Sequence, residues 1–155
     1  MPRLLIVHHT PSPAMHAMFG AVRDGARDPA IEGVEVVSRP ALTLGAADVL
    51  GADGFVFGGP VNLGDLAGAL KHAFDQIYYP CLEETVGRPF GAYLHGNDDL
   101  TGGLRTLERI TTGLRWRRAQ ATVEVTGAPT PANLDACYEL GASLAAGLAV
   151  EIGPA

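Results

Sequence analysis

Apolar and polar positions along the chain follow two alternating rhythms. Short β-branched or apolar runs stand at 4–8 (LLIVH), 34–38 (VEVVS), 54–58 (GFVFG), 89–95 (PFGAYLH) and 121–125 (ATVEV). These predict strands. Between them apolar residues recur every three or four positions, which predicts helices. In 63–79, Leu66, Leu70, Ala73, Phe74 and Ile77 share a face, with Lys71 and Asp75 off it. In 101–114 the face is Leu104, Leu107, Ile110 and Leu114, and in 131–148 it is Leu134, Cys137, Leu140, Leu144 and Leu148. The shortest predicted helix covers 43–52. Ser12-Pro13 marks another helix start: Ser caps a first-turn N–H, and Pro at the next position forfeits no intrahelical bond.

The order β-α-β-α-β-α-β-α-β-α runs without a break. Strict alternation predicts a parallel sheet covered by helices on both faces and joined by right-handed crossovers. There is no internal repeat and no linker, so 1–155 reads as a single α/β domain.

Composition narrows the picture by exclusion. The 155 residues are 47% hydrophobic, which suits a globular core. The longest apolar runs are too short to insert in a membrane. Arg3 and a four-residue apolar run do not make a signal peptide, so the expected location is cytoplasmic. Cys81 and Cys137 show no metal-like or CxxC spacing. Eleven basic against seventeen acidic residues give a net charge of −6 with no basic tract, so nucleic acid is not an expected partner.

In parallel α/β sheets ligands bind beyond the carboxyl ends of the strands. Three such loops are rich in Gly, Pro, Asn and Ser/Thr: 8–16 (HHTPSPAMH), 58–68 (GGPVNLGDLAG) and 95–103 (HGNDDLTGG). The first admits two readings. One is a well-capped helix start. The other is a phosphate site, in which Thr10 and Ser12 flank free N–H groups of Ala14, Met15 and His16, with Pro11 and Pro13 stiffening the loop. No GxGxxG follows the first strand and no acid closes the second, which disfavours a dinucleotide site. GxxxxGK[ST] and GxSxG are absent, and the acidic residues of a phospho-receiver are missing from the ends of the first and third strands. His8 and His9 point to opposite faces of a strand and cannot chelate one metal, so no metal is expected.

In the second loop Gly58 and Gly59 permit close backbone approach, Pro60 fixes the exit, Asn62 offers donors and an acceptor, and Gly64 is read as opening a helix. That chemistry suits a flat heteroaromatic ring; the plain alternative is a strand-to-helix turn. The stretch 52–75, ADGFVFGGPVNLGDLAGALKHAFD, resembles the second flavin-contacting loop of the flavodoxin-like superfamily. It is similar in particular to NADPH-dependent FMN reductases and to NAD(P)H:quinone oxidoreductases of the tryptophan-repressor-binding-protein type.

The resemblance implies a flavodoxin-like three-layer sandwich, with a five-stranded parallel sheet in the order 2-1-3-4-5 and one FMN at the strand ends. It implies that Thr10, Ser12, Pro13 and the amides of Ala14 and Met15 hold the ribityl phosphate. Pro60, Val61, Asn62, Leu63 and Gly64 would line the isoalloxazine. His95, Gly96, Asn97, Asp98 and Asp99, with Gly102 and Gly103, would close on its pyrimidine side. His95 is the catalytic candidate: at the N1/O2 edge it would stabilise an anionic reduced ring. Its plain reading is a satisfied strand-end histidine. The first loop departs from the family pattern, with Pro13 and Met15 where flavodoxins carry Gly and a terminal Thr.

The implied activity is an oxidoreductase passing electrons from NAD(P)H, as co-substrate, to a quinone, a flavin or a similar small-molecule acceptor. Val61, Asn62 and Leu63 leave the ring face without an aromatic cover, which makes room for a nicotinamide. The alternatives are a flavodoxin-type electron carrier without its own NAD(P)H activity, and a non-catalytic interaction module on the same scaffold. Tyr78, Tyr79 and Pro80 beside the predicted ring suggest a homodimer or tetramer.

Overall fold

The computed structural model describes residues 1–151. Strand β1 (Arg3–His8) leads into helix α1 (Pro13–Ala26), and β2 (Glu35–Pro40) into a short 3-10 turn and α2 (Ala46–Leu50). Then follow β3 (Gly54–Asn62), β4 (Asp65–Leu66), α3 (Gly68–Cys81), β5 (Pro89–Gly96) and α4 (Thr101–Gly113). After these come β6 (Arg117–Arg118), β7 (Val123–Thr126) and α5 (Pro131–Glu151). Strands β2, β1, β3 and β5 lie side by side and parallel, in that order. The last position, beside β5, is shared: β6 pairs with Pro89 and Phe90, and β7 with Tyr93 through Gly96. The five positions reproduce the expected order, and helices cover both faces.

Alternation along the strands builds two cores. Leu5, Val7, Phe55, Phe57, Phe90, Ala92 and Leu94 face α2, α3 and α4. Trp116 lies in this core, stacked on Phe55 at 4.4 Å, and donates its indole N–H to Thr85 Oγ1 at 2.8 Å. Leu4, Ile6, Val56, Tyr93 and Val125 face α1 and α5. These two helices cross in backbone contact: a Cβ on Gly25 would lie 1.9 Å from the Tyr138 carbonyl oxygen, and one on Gly141 2.0 Å from that of Val22.

Three local expectations change. The predicted last strand, 121–125, starts later, at Val123, and a separate two-residue piece, β6, precedes it, because 119–122 leave the ladder after the Ala119 N–H bonds to the Phe90 carbonyl at 2.9 Å. An edge strand is held on one side only, so such a break sacrifices few hydrogen bonds. The sheet also carries an antiparallel element: β4 folds back on β3, pairing Val61 with Leu66 and Asn62 with Asp65. Finally, the helix predicted from residue 63 begins at Gly68, because 62–65 are spent on the turn of that hairpin. Leu66 still reaches the core, but from β4.

Candidate functional site

Beyond the carboxyl ends of β3 and β5 lies a cleft of about 390 Å³. One wall is the β3–β4 hairpin, through Val61, Asn62, Leu63 and Gly64. The other is the β5–α4 loop, through Gly96, Asn97, Asp98 and Asp99, with Gly102 on the first turn of α4. Leu63 and Gly64 occupy the two central positions of the hairpin turn, with φ of 53° and 79°. Positive φ at both is the geometry that matches the right-handed twist of a two-residue hairpin. Gly64 takes it freely. Leu63 does so at a cost of roughly 1 kcal/mol and presents its fully exposed side chain beside the cleft.

The two walls are locked by close approach. A Cβ on Gly102 would stand 1.7 Å from the Gly64 carbonyl oxygen, so the first turn of α4 rests on the hairpin backbone. Gly103 and Gly96 pack against Val61 and Leu100. Asp99 orients the other wall, its Oδ1 accepting from the Thr101 N–H at 2.9 Å and the Thr101 hydroxyl at 2.6 Å. Those bonds, chiefly the hydroxyl, hold the Asp99 carboxyl below its usual range. Asp65 is lowered likewise by the Thr106 hydroxyl and the Leu66 N–H. The cleft margin is therefore anionic at neutral pH, and no aromatic ring among the described residues lines it.

Nine of the residues read from the sequence meet in this cleft: Val61, Asn62, Leu63, Gly64, Gly96, Asn97, Asp98, Asp99 and Gly102. Pro60 lies one residue deeper in β3, paired with His95, and Gly103 lies behind Val61. His95 is not in the lining. It is buried, and its Nε2 donates to the Gly127 carbonyl at 2.8 Å. A carbonyl only accepts, so this bond places a proton on Nε2.

The first loop stands apart. Thr10, Ser12, Pro13, Ala14 and Met15 do not line the cleft. Ser12 caps α1 as expected, its Oγ accepting from the Met15 N–H at 3.2 Å. The expectation of three free first-turn donors is corrected by this bond and by that of the His16 N–H to the Ser12 carbonyl at 2.9 Å. Among the described residues only Ala14 of the three lacks an acceptor. Thr10 Oγ1 and His8 Nδ1 are hydrogen-bonded at 2.8 Å. The His8 ring stacks on Phe19 with centroids 4.1 Å apart, and burial lowers its pKa. The Met15 side chain is fully buried in the core under α1.

One contributor escaped the sequence reading of the site. Gly127, with φ of 77°, opens a fourth loop at the same sheet edge and supplies the His95 acceptor; its signal was a Gly closing the last strand. The bonds from Thr101 to Asp99 were not read from the sequence, and the spacing of the two residues was the available sign of a cap on α4. Among the described residues no group of three or more His, Cys, Asp or Glu side chains could hold a metal ion. Nor is any helix among them long and apolar enough to cross a membrane.

No family model matches the chain, and no curated protein matches it. Solved structures do. The flavodiiron core from Synechocystis superposes with a TM-score of 0.77 at 20% identity, covering 95% of this chain and 36% of its own. This chain thus spans about a third of that protein's length. A WrbA-like flavodoxin from Agrobacterium tumefaciens gives 0.74 at 16% identity, covering 94% of this chain and 96% of its own. The two-electron-reduced flavodoxin of Megasphaera elsdenii gives 0.76 at 19% identity, with 92% and 98% covered. At such identities the likeness speaks to architecture: the chain has the flavodoxin-like fold.

Proposed function

We propose that the chain is a flavin-dependent oxidoreductase that takes electrons from NAD(P)H and passes them to a quinone, a flavin or a similar small acceptor, with FMN as its flavin. The cleft between the β3–β4 hairpin and the β5–α4 loop carries this reading. Its volume of about 390 Å³ lies within the usual range for small-ligand sites, and its walls are main chain, amide and carboxylate. That donor set fits the ring portion of a flavin. Asn62 and Asn97 would meet its polar edge, and the backbone around Gly64, Gly96 and Gly102 would approach closely. A bound flavin supplies the two-electron chemistry of hydride acceptance and its return to an acceptor.

The chain's own residues set the terms of that chemistry. The absence of an aromatic from the lining leaves a face open for a second planar molecule, which hydride transfer requires. The carboxylates of Asp98 and Asp99 make negative charge on a reduced ring unfavourable and so favour a low potential. Buried His95, tied to Gly127, serves as a brace between β5 and the loop after β7. The same proposal includes self-association, through the exposed Tyr79 and its neighbour Tyr78 on α3.

A second reading, a flavodoxin-type carrier, draws on the anionic margin and the protruding Leu63, which together suit docking to a protein partner. An absorbance spectrum distinguishes the two. Flavin bands that shift on addition to the protein, bleach with NADPH and return with a quinone are the expected result. Binding without bleaching moves the assignment to the carrier, and no binding of FMN removes both.

A further inference from the structure

The two ends of the proposed site are unequally equipped. The ring end is a formed cleft, whereas in the loop expected to hold a terminal phosphate no two neighbouring N–H groups are both free to donate. Backbone anion sites are nests of successive N–H groups, or free first-turn N–H groups of a helix. Pro11 and Pro13 have no N–H, so no two neighbours from Thr10 to Ala14 can both donate. The next pair, Ala14 and Met15, is broken because the Met15 N–H bonds to Ser12 Oγ at 3.2 Å. The His16 N–H is committed to the Ser12 carbonyl. Of the two hydroxyls, Ser12 Oγ accepts the cap bond and its O–H is the one side-chain donor that bond leaves over, while Thr10 is bonded to His8 Nδ1.

Charge does not make up the deficit. No Lys or Arg occurs from residue 8 to 22, and the Arg23 guanidinium lies over the Phe19 ring, 5.2 Å from its centroid. Burial, then the neighbouring His9 and Arg23, lower the His8 pKa and so disfavour a cation there.

We infer that this chain holds its flavin by the ring and discriminates little for the 5′-phosphate, so that riboflavin binds about as well as FMN. The inference rests on the flavin reading above. It makes the prolines of the first loop the determinants of ligand choice, since they remove the amide pairs a phosphate needs.

The test is a pair of fluorescence-quenching titrations of the purified chain, with FMN and with riboflavin. Dissociation constants within about tenfold of each other are expected. Tenfold is about 1.4 kcal/mol, less than one charge-assisted hydrogen bond to phosphate. A preference for FMN beyond about tenfold overturns the inference and leaves the flavin reading standing. Binding of neither overturns both. In the double variant Pro11→Gly/Pro13→Gly, with folding checked by circular dichroism, FMN affinity should rise at least about tenfold while riboflavin affinity stays put. An unchanged ratio in the folded variant overturns the role given to the prolines.

Discussion

Two side chains show how a single atom's surroundings set its behaviour. The Tyr93 ring lies over Gly58 in the core beneath α1 and α5, and its hydroxyl is buried with no hydrogen-bond partner among the described residues. Burial pushes its pKa well above the phenol range, so it stays neutral and stays orphaned. An unmade hydrogen bond of this kind costs about 1–3 kcal/mol. Tyr93→Phe should therefore stabilise the fold by about 1 kcal/mol, raising the melting temperature by about 3 °C; a fall instead would reveal an ordered water on the hydroxyl. His8 acts through protons. Burial, then His9 and Arg23, lower its pKa in the folded chain, so the unfolded chain binds its proton at higher pH. Stability from this group is thus unaffected above the ordinary imidazole pKa, falls as pH drops through it, and levels off below the folded value. Denaturant midpoints should decline between about pH 7 and pH 5, and His8→Asn should flatten that part of the profile.

Among elements, the decisive contact is that of α4 with the β3–β4 hairpin. A methyl on Gly102 meets backbone, not a movable side chain, so Gly102→Ala must push the two cleft walls apart. A loss of about 2 kcal/mol is expected, together with weaker flavin binding in the same titration. Gly20, within α1, has open space where its Cβ would be. Gly20→Ala should stabilise by about 0.5–1 kcal/mol and leave binding unchanged. Opposite signs for the same substitution would tie the glycine at the cleft to its packing and not to helix propensity. The helix periodicities of α3, α4 and α5 were legible because Leu70, Phe74, Ile77, Leu107, Leu140 and Leu144 are buried by the faces their spacing defines. The start of α3 was not, because Leu63 and Leu66 continue the helical spacing across a hairpin that only pairing with β3 reveals.

For the whole molecule, the remaining question is what covers the α3–α4 side. Tyr79 is 80% exposed, and a small groove of about 180 Å³ runs between Lys71, Phe74, Asp75, Tyr78, Tyr79 and Ile110. Self-association through this surface predicts a sedimentation mass twice the 16.1 kDa of one chain. Tyr79→Asp should restore the single-chain mass without altering the circular dichroism spectrum. A wild-type chain that sediments as a monomer at high micromolar concentration would sink this expectation. The cleft is formed wholly within one chain, so flavin binding can be measured in either state.

The alternation of strands and helices and the gathering of three loops at one sheet edge were determined by the sequence alone. Both follow from local periodicity, from turn-forming residues and from the handedness of crossovers, none of which needs a distant partner. The strand order came from the resemblance to the flavodoxin-like superfamily, because which strands pair is decided between distant segments. The Ser12 cap is local in the same sense, reaching only three residues along the chain. Tertiary structure decided the rest. His95 finds its acceptor at Gly127, 32 residues away, and Gly102 meets the carbonyl of Gly64. The edge position is shared by two short strands, β6 and β7, with β5 on one side and no strand among the described residues on the other. A side chain's type states what it can donate or accept; whether that capacity is free for a ligand or already spent depends on which remote backbone the fold brings beside it.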